Sequence, residues 1–429
     1  MPALRWNAVR MSRYLETEVL VVGAGPTGLV TALLLAESGL KVVIIDREQR
    51  PATHSYACGL HPASLELLDR LDLLDGVRAQ SRRIDRVAFY SPDGTREAEV
   101  CLAPLPVKHP YVLVCPQNHL EALLAHRLAE QGCAVRWHHR LATLEPGPEG
   151  VAAAVDQLVG TATGCAVPRW HWVVGRTLQV TAKYVVGADG HYSVVRQALG
   201  IANETLGPTE HYVVYEFEPE RELADELRVV LTDRTKSVLW PLPAGRCRWS
   251  FQLAGHEEAD VFEKDRDPFW GEPPARAQLT RQRLEERLAA HAPWFDAGIR
   301  AVDWAVDIQF EQRLARQYGQ GRCWLAGDAA HQTSPAGIQS MNLGLLEAED
   351  LAGKLAQVLR GEASESVLSA YEHVHLAAWR QLLGAEALPA PGAAVKPWIT
   401  THRRAILSSL PASGPALALL LAQLGLASP

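Results

Sequence analysis

Glycines stand at positions 23, 25 and 28, immediately after an apolar run that ends at Val22. That spacing constrains the fold more than any other feature of the chain. Residues 18–22 read as a short strand, residues 29–38 as a helix, and residues 41–46 as a second strand whose Val/Ile run suits a buried parallel sheet. Gly39 falls where a helix takes a left-handed cap. Together they predict a βαβ unit of about thirty residues, the context in which such a glycine turn binds a dinucleotide. Gly23 permits the tight turn, Gly25 lets the backbone approach a pyrophosphate, and Gly28 lets the helix pack close to the strand; Pro26 and Thr27 complete the turn. The helix start then aims unpaired N–H groups at the phosphates. Asp46 ends the second strand, twenty-one residues after Gly25, where a carboxylate accepts hydrogen bonds from a ribose diol. An acid there disfavours a 2′-phosphate.

Two later segments repeat the handover from strand to loop. Gly187-Ala188-Asp189-Gly190 is followed by Ser193 and Arg196. Alone, Asp-Gly is equally ordinary turn chemistry. Gly327-Asp328-Ala329-Ala330-His331 places an acid just beyond an apolar strand, as a partner for a ribityl or ribose hydroxyl or as a helix cap. Next come Pro335, Gly337, Ile338, Ser340, Met341 and Asn342, at the start of a helix expected over residues 341–359. The first N–H groups of that helix suit the O2 edge of an isoalloxazine, where they would stabilise a reduced flavin. In this order the three segments point to one dinucleotide, FAD, held by separated parts of a single fold.

Elsewhere, residues 64–74 and 118–131 predict helices and residues 179–186 a strand. Between residues 206 and 311 the pattern turns to strands (213–217, 227–231, 237–242, 246–253, 302–310), with one helix over 276–291. The expected fold class is α/β: a discontinuous Rossmann-like FAD-binding domain (17–75, 111–205, 312–370), an inserted β-rich substrate domain (76–110, 206–311) and a helical C-terminal tail (371–429). A net charge of −7 without a basic run argues against a nucleic-acid partner. Seven cysteines, Cys165 among them, without CxxC spacing read as reduced thiols in a cytoplasmic protein with no metal site. The first seventeen residues carry Arg5, Arg10 and Arg13 but no apolar core, so no secretory signal is expected, and Met11 is an alternative start. Residues 416–426 are too few to span a bilayer and predict a packed terminal helix, hence no stable membrane insertion. A monomer or homodimer is expected.

From about residue 18 to 371 the chain resembles the FAD-dependent aromatic hydroxylases, the single-component flavoprotein monooxygenases similar to p-hydroxybenzoate hydroxylase. The resemblance implies that Gly23, Gly25, Gly28 and Asp46 hold the ADP half of FAD. Arg47 and Gln117 match flavin-contacting positions, Asp189 and Gly190 an element used for both FAD and NAD(P)H, and Asp328 the ribityl contact. Residues 335–343 would flank the isoalloxazine. It further implies NAD(P)H as co-substrate without a second Rossmann domain, a flavin that swings outward to be reduced, and a C4a-hydroperoxide formed with O2. That species would hydroxylate or epoxidise a bulky aromatic or polyketide-like small molecule. Ile338 and Ser340 stand where the family usually has glycine, Tyr56-Ala57 replaces an Arg-Ala pair, and Tyr371-Glu372 is all that remains of a longer motif. The C-terminus is expected to be too short for the thioredoxin-like extension of the larger phenol hydroxylases. These departures keep open a non-redox, flavin-scaffolded cyclase of natural-product biosynthesis, or a flavin-dependent reductase.

The substrate side is thinly encoded. Trp240, Trp249, Phe251, Trp270, Trp294 and Trp304 in the inserted region could wall a large flat ligand or simply form core. Residues 240–243 and 212–217 are the expected pocket-facing strands. His61 and Tyr215 are the candidate acid/base groups for a phenolic proton, or else satisfied structural residues.

Overall fold

The computed structural model describes residues 14–49, 57–163, 169–254, 280–383, 388, 390–392 and 395–427. Arg5, Arg10, Met11, Arg13, Tyr56, Cys165 and Trp270 lie outside the described residues.

The βαβ unit forms as its pattern dictates. Tyr14–Val22 pairs in parallel with Val42–Ile45 on one side and with the long strand Arg169–Gly187 on the other. Cys323–Leu325 then pairs in parallel with the end of Arg169–Gly187. The carboxyl ends of three strands, each followed by one of the glycine motifs, are thereby brought side by side. The helix Pro26–Glu37 starts with proline, whose missing N–H costs nothing there, and ends before Gly39 at φ 78°. It packs against the long helix Gln339–Leu359. The strand expected over 179–186 is far longer, because Arg169–Gly187 also pairs antiparallel with Val151–Thr163, which pairs with His139–Pro146.

The helix expected over 64–74 is two helices, Pro62–Arg70 and Leu74–Arg78. Asp72 takes φ 56° between them, and Leu73 N–H returns to Leu68 O, closing the first helix early. The long helix opens at Gln339, two residues before the expected start.

The second large sheet is mostly antiparallel and runs in the order Ala301–Phe310, Glu210–Glu218, Cys247–Gln252, Lys236–Pro241, Glu226–Leu231, Arg86–Tyr90, Arg96–Cys101. Its two faces bury different partners. Val213, Tyr215, Phe217, Leu239, Trp249 and Phe251 form one cluster with Leu284 and Leu288 of the helix Arg281–His291. Phe89, Leu227, Val229, Val238 and Trp240, pointing the other way, join the core of the dinucleotide-binding part. After the helix Ser366–Leu382, the described residues of the tail form the helices Pro397–Ser409 and Gly414–Gln423 and a short antiparallel pair, Ala390–Pro391 with Leu426–Ala427, which the helical expectation lacked. Among the described residues no helix is long and apolar enough to cross a membrane, and no group of His, Cys, Asp or Glu could hold a metal.

Candidate active site

Glycine contacts bring the three motifs together. A Cβ on Gly23 (φ 103°) would sit 2.2 Å from Ala188 O, so the first turn closes directly onto the second motif. A Cβ on Gly28 would lie 2.0 Å from Gly23 O, which is the close helix–strand approach expected of it. Cβ atoms on Gly327 (φ 63°) and on Gly344 would each come within 2.7 Å of Thr27 Oγ1, so Thr27 is where the first motif meets the third and the long helix. Gly25 differs from all of these: a Cβ there meets nothing within 4 Å, and its φ of −70° suits any residue. Packing therefore does not require glycine at 25, and the open space there, at the N-terminus of Pro26–Glu37, could hold an anion.

Asp46 completes this half. Its Oδ2 accepts from Ala24 N–H (2.6 Å) and its Oδ1 from Glu48 N–H (2.8 Å), leaving lone pairs on both oxygens for a ribose diol. Arg47 beside it is exposed and pairs with Glu48. Gln117 opens the helix Gln117–Glu130 and donates to Glu121 Oε1 (2.7 Å). In the second motif, Gly190 takes φ 76° and Asp189 Oδ2 accepts from the N–H groups of Val194 and Val195, so Asp189 caps the short helix Val194–Ala198. Burial holds its carboxyl above the usual range. Asp328 is exposed and accepts a hydrogen bond from Ser340 Oγ, so the side chain found where glycine is usual touches the ribityl candidate. The donor set fits FAD: open space at a helix N-terminus that could take a pyrophosphate, the Asp46 carboxylate that could take a ribose diol, the exposed Asp328 that could take a ribityl hydroxyl, and helix N–H groups at residues 339–341.

One group of residues that the sequence left unmarked supports this loop from behind. Glu347, buried in the long helix, accepts from Gly327 N–H (2.8 Å), pairs with His331 Nε2 (2.8 Å), and accepts from Trp379 Nε1–H (2.9 Å). Burial alone would raise its carboxyl, but the His331 charge and hydrogen bond and the Gly327 N–H outweigh it and hold the pKa below the usual value. Helical spacing put Glu347 on an apolar face, and a carboxylate there was the available signal.

At the start of the long helix, Pro335, Ala336 and Gly337 lead into Ile338, which caps the helix with φ 50°. Met341 is buried near its beginning. Asn342 uses all four of its amide hydrogen bonds internally. Nδ2 donates to Gly59 O (2.9 Å) and Ile338 O (2.8 Å), and Oδ1 accepts from His61 N–H and Ser64 Oγ, both at 2.7 Å. Its side chain is a pin between segments and has no capacity left for a cofactor.

His61 requires a correction. It is 1% exposed, its Nε2 lies 2.8 Å from Gly337 O, and burial pushes its pKa down to about 3. A base that weak takes no phenolic proton near neutrality, so His61 ties two segments together instead of moving protons. Tyr215 and Trp249 are also corrected. Both lie on the sheet face covered by Arg281–His291, where Trp249 stacks on Phe251 at 5.1 Å. Trp294 stacks on Tyr90 in the same outer layer. Of the aromatic candidates, Trp240 faces the dinucleotide-binding part, and its ring lies against Gly59.

The face that carries Trp240 also carries charge. Trp240 pairs across the sheet with Arg248, and Arg248 with Glu216. Arg248 is 4% exposed and its Nε donates to Glu216 Oε1 (2.9 Å). The guanidinium also lies 5.9 Å from the Trp304 ring and close to the Cys58 thiol, which burial pushes up to about 11. At the other end of the face, Lys236 Nζ reaches Glu210 (3.2 Å) and Ser334 Oγ (2.9 Å), directly beside Pro335. Period-two alternation contains this face, but charged residues at its positions hid it from an apolar-stripe reading.

Comparison with known proteins agrees with the geometry. Residues 16–385 match the family model described as an FAD binding domain. The chain is 31% identical over 360 residues to 6-methylpretetramide 4-monooxygenase of Streptomyces rimosus, covering 82% of this chain and 58% of that protein. It is 30% identical over 390 residues to aklavinone 12-hydroxylase of Streptomyces peucetius subsp. caesius, covering 83% and 71%. The chain thus spans well under two thirds of the length of the first of these. Among solved structures, p-nitrophenol 4-monooxygenase from Pseudomonas putida DLL-E4 superimposes with a TM-score of 0.71 at 25% identity, over 94% of this chain and 91% of that one. The converging glycine motifs and the extent of these matches lead to one conclusion: the chain belongs to the FAD-binding domain family of flavoproteins similar to p-hydroxybenzoate hydroxylase.

Proposed function

We propose that this protein is an FAD-dependent monooxygenase that uses NAD(P)H and O2 to hydroxylate or epoxidise a bulky aromatic or polyketide-like compound. One observation carries the reading: the three nucleotide motifs converge at Thr27 and Ala188, and the sheet face bearing Trp240 packs against the same end of the fold. FAD, when bound, supplies the redox chemistry that activates O2 at the expense of NAD(P)H. The chain's own residues bind, orient and exclude water. Gly25 and the N-terminus of Pro26–Glu37 would take the pyrophosphate, Asp46 the ribose, and Asp328 with Ser340 the ribityl chain. Arg47, Gln117, Asp189 and Gly190 are proposed to border the cofactor without a role more specific than contact. The helix start at 339–341 offers N–H groups to the ring.

The shape of the facing sheet supports a multi-ring substrate. Trp240 and Lys236 are four residues apart on one strand, as are Arg248 and Gln252 on its neighbour, so the strip between the two charged ends is roughly 13 Å long. That length matches several fused rings with oxygen substituents at the ends, and because Trp240, Lys236 and Arg248 are buried in the ligand-free fold, such a ligand would enter by displacing the side chains packed on the strip. The relatives named for 6-methylpretetramide and for aklavinone are in keeping with such a ligand. No general base is needed in this account, since positioning and a dry site do most of what the protein contributes. The test is incubation of the FAD-loaded protein with NADPH or NADH and a panel of polycyclic phenols under isotopically labelled O2. Label in a product supports the reading, and a panel that returns unchanged while FAD stays bound refutes it.

A further inference from the structure

Ile338 is the one β-branched residue among the described non-glycine residues with positive φ, the others being Asp72, His138 and Ala244. Asp, His and Ala tolerate that region better, whereas a branched Cβ crowds the following carbonyl. The turn is nonetheless over-determined. Ile338 N–H donates to Pro335 O (3.2 Å), Ile338 O accepts from Asn342 Nδ2, and the preceding Gly337 O is held by His61. Gly337 cannot shift outward either, because a Cβ there would already lie 2.6 Å from Ser408 O of the tail. Strain of this kind is kept where the surrounding structure imposes it, and it clusters at functional sites.

The conformation determines where the side chain goes. Ile338 is 4% exposed, and its Cδ1 would be 3.0 Å from a Cβ on Gly59, while Trp240 Cζ3 and Cη2 would be 3.2 and 3.3 Å from the same point. Three segments therefore meet at one place: the strand Gly59–Leu60, the sheet through Trp240, and the start of the long helix. Glycine at 59 is what lets the other two side chains close over it. A glycine at 338 would leave that junction open on the side facing the sheet.

We propose that Ile338 sets how bulky an aromatic ligand the substrate site admits, because its side chain, directed by the left-handed turn, closes the junction between Trp240 and Gly59. The proposal rests on the substrate lying along the Trp240 face. It assigns the Ile338 side chain a specificity role at the substrate junction, distinct from the N–H groups that the following helix offers to the ring.

The test compares wild type, Ile338→Gly and Ile338→Val, all loaded with FAD, by calorimetric titration with phenol and with alizarin as single-ring and three-ring probes. Ile338→Val removes only the δ-methyl that makes the contact, so it reports even if the glycine variant fails to fold. The expected result is that alizarin binding tightens relative to phenol, at least tenfold in Ile338→Gly and about threefold in Ile338→Val. A ratio of the two affinities unchanged within twofold in the folded variants overturns the proposal. So does a set of FAD-loaded proteins that bind neither probe. Reduction of the flavin by NADPH in the same samples is read separately, so loss of the Ile338 role and loss of the monooxygenase reading give different results.

Discussion

Gly25 and Gly28 are three residues apart in one motif, yet the structure gives them opposite reasons for being glycine. At Gly25 (φ −70°, ψ 179°) a methyl group meets no protein atom within 4 Å. Gly25→Ala therefore leaves the apoprotein almost unchanged. Restricting the unfolded chain contributes about 0.4–1 kcal/mol of stability, and a poorer N-cap residue costs about as much, so the net change is under about 1 kcal/mol. The same methyl occupies the space assigned to the pyrophosphate. Weakening two charge-assisted hydrogen bonds there at about 1.5 kcal/mol each removes about 3 kcal/mol of binding, roughly 100-fold in Kd. At Gly28 the methyl would lie 2.0 Å from Gly23 O, a backbone atom with nowhere to go, so Gly28→Ala destabilises the apoprotein by about 3 kcal/mol or more. Urea unfolding of the apoproteins and quenching of FAD fluorescence on titration separate the two effects. A Gly25→Ala protein that binds FAD within threefold of wild type, or that unfolds as easily as Gly28→Ala, would refute the assignment of that space.

Other expectations follow from the same geometry. Tyr215→Phe should leave turnover within twofold of wild type, because Tyr215 faces the outer helix, whereas Trp240→Leu should raise the KM for a polycyclic substrate about tenfold, or about 1.4 kcal/mol; steady-state assays on both variants check this. Glu347→Gln breaks a buried pair and loosens the Gly327 turn, so it should lower stability by about 3 kcal/mol and weaken FAD binding, measured by thermal melts with and without FAD. His61 has a folded pKa of about 3, depressed by burial, so the unfolded chain takes up the proton first as pH falls. Its contribution is fully present above about pH 6.5 and is lost progressively toward pH 3, at roughly 1.4 kcal/mol per pH unit. Apoprotein melts of His61→Gln should show a shallower acid limb than wild type. Burial raises the thiol pKa values of Cys58, Cys115 and Cys323, so iodoacetamide at neutral pH should leave these three unlabelled in the native protein, as peptide mass mapping would reveal.

The nucleotide half was legible because its residues are there for backbone reasons. Gly23, Gly190 and Gly327 all take positive φ, and Gly39 caps its helix at φ 78°, so a local pattern of glycines reports a local geometry. The inserted sheet was harder to read. Its strands alternate, but one face is buried under a helix and the other against the dinucleotide-binding part, so apolar residues occur on both and parity alone does not say which faces the cofactor. Tyr215 and Trp249 looked functional by type and belong to the outer face. Arg248 and Lys236, charged residues without a mark in the sequence, are buried on the inner one, with Glu216 partly buried beside Arg248. Asn342 and Glu347 act through contacts many residues away in sequence, on Gly59 and His61 in one case and on Gly327 and Trp379 in the other. No window of the sequence contains both partners.

The central claim is that the convergent motifs hold a flavin that NAD(P)H can reduce and O2 can reoxidise for use on a bound aromatic. Anaerobic stopped-flow mixing of the FAD-loaded protein with NADPH and with NADH, in the presence of a polycyclic phenol, follows the visible flavin absorbance directly. The account predicts bleaching by at least one reductant, faster when the aromatic ligand is present, and recovery of the band with oxygenated product when O2 is admitted. A flavin that remains oxidised with both reductants and every ligand tried would contradict it, and would return the protein to the non-redox, flavin-scaffolded alternative.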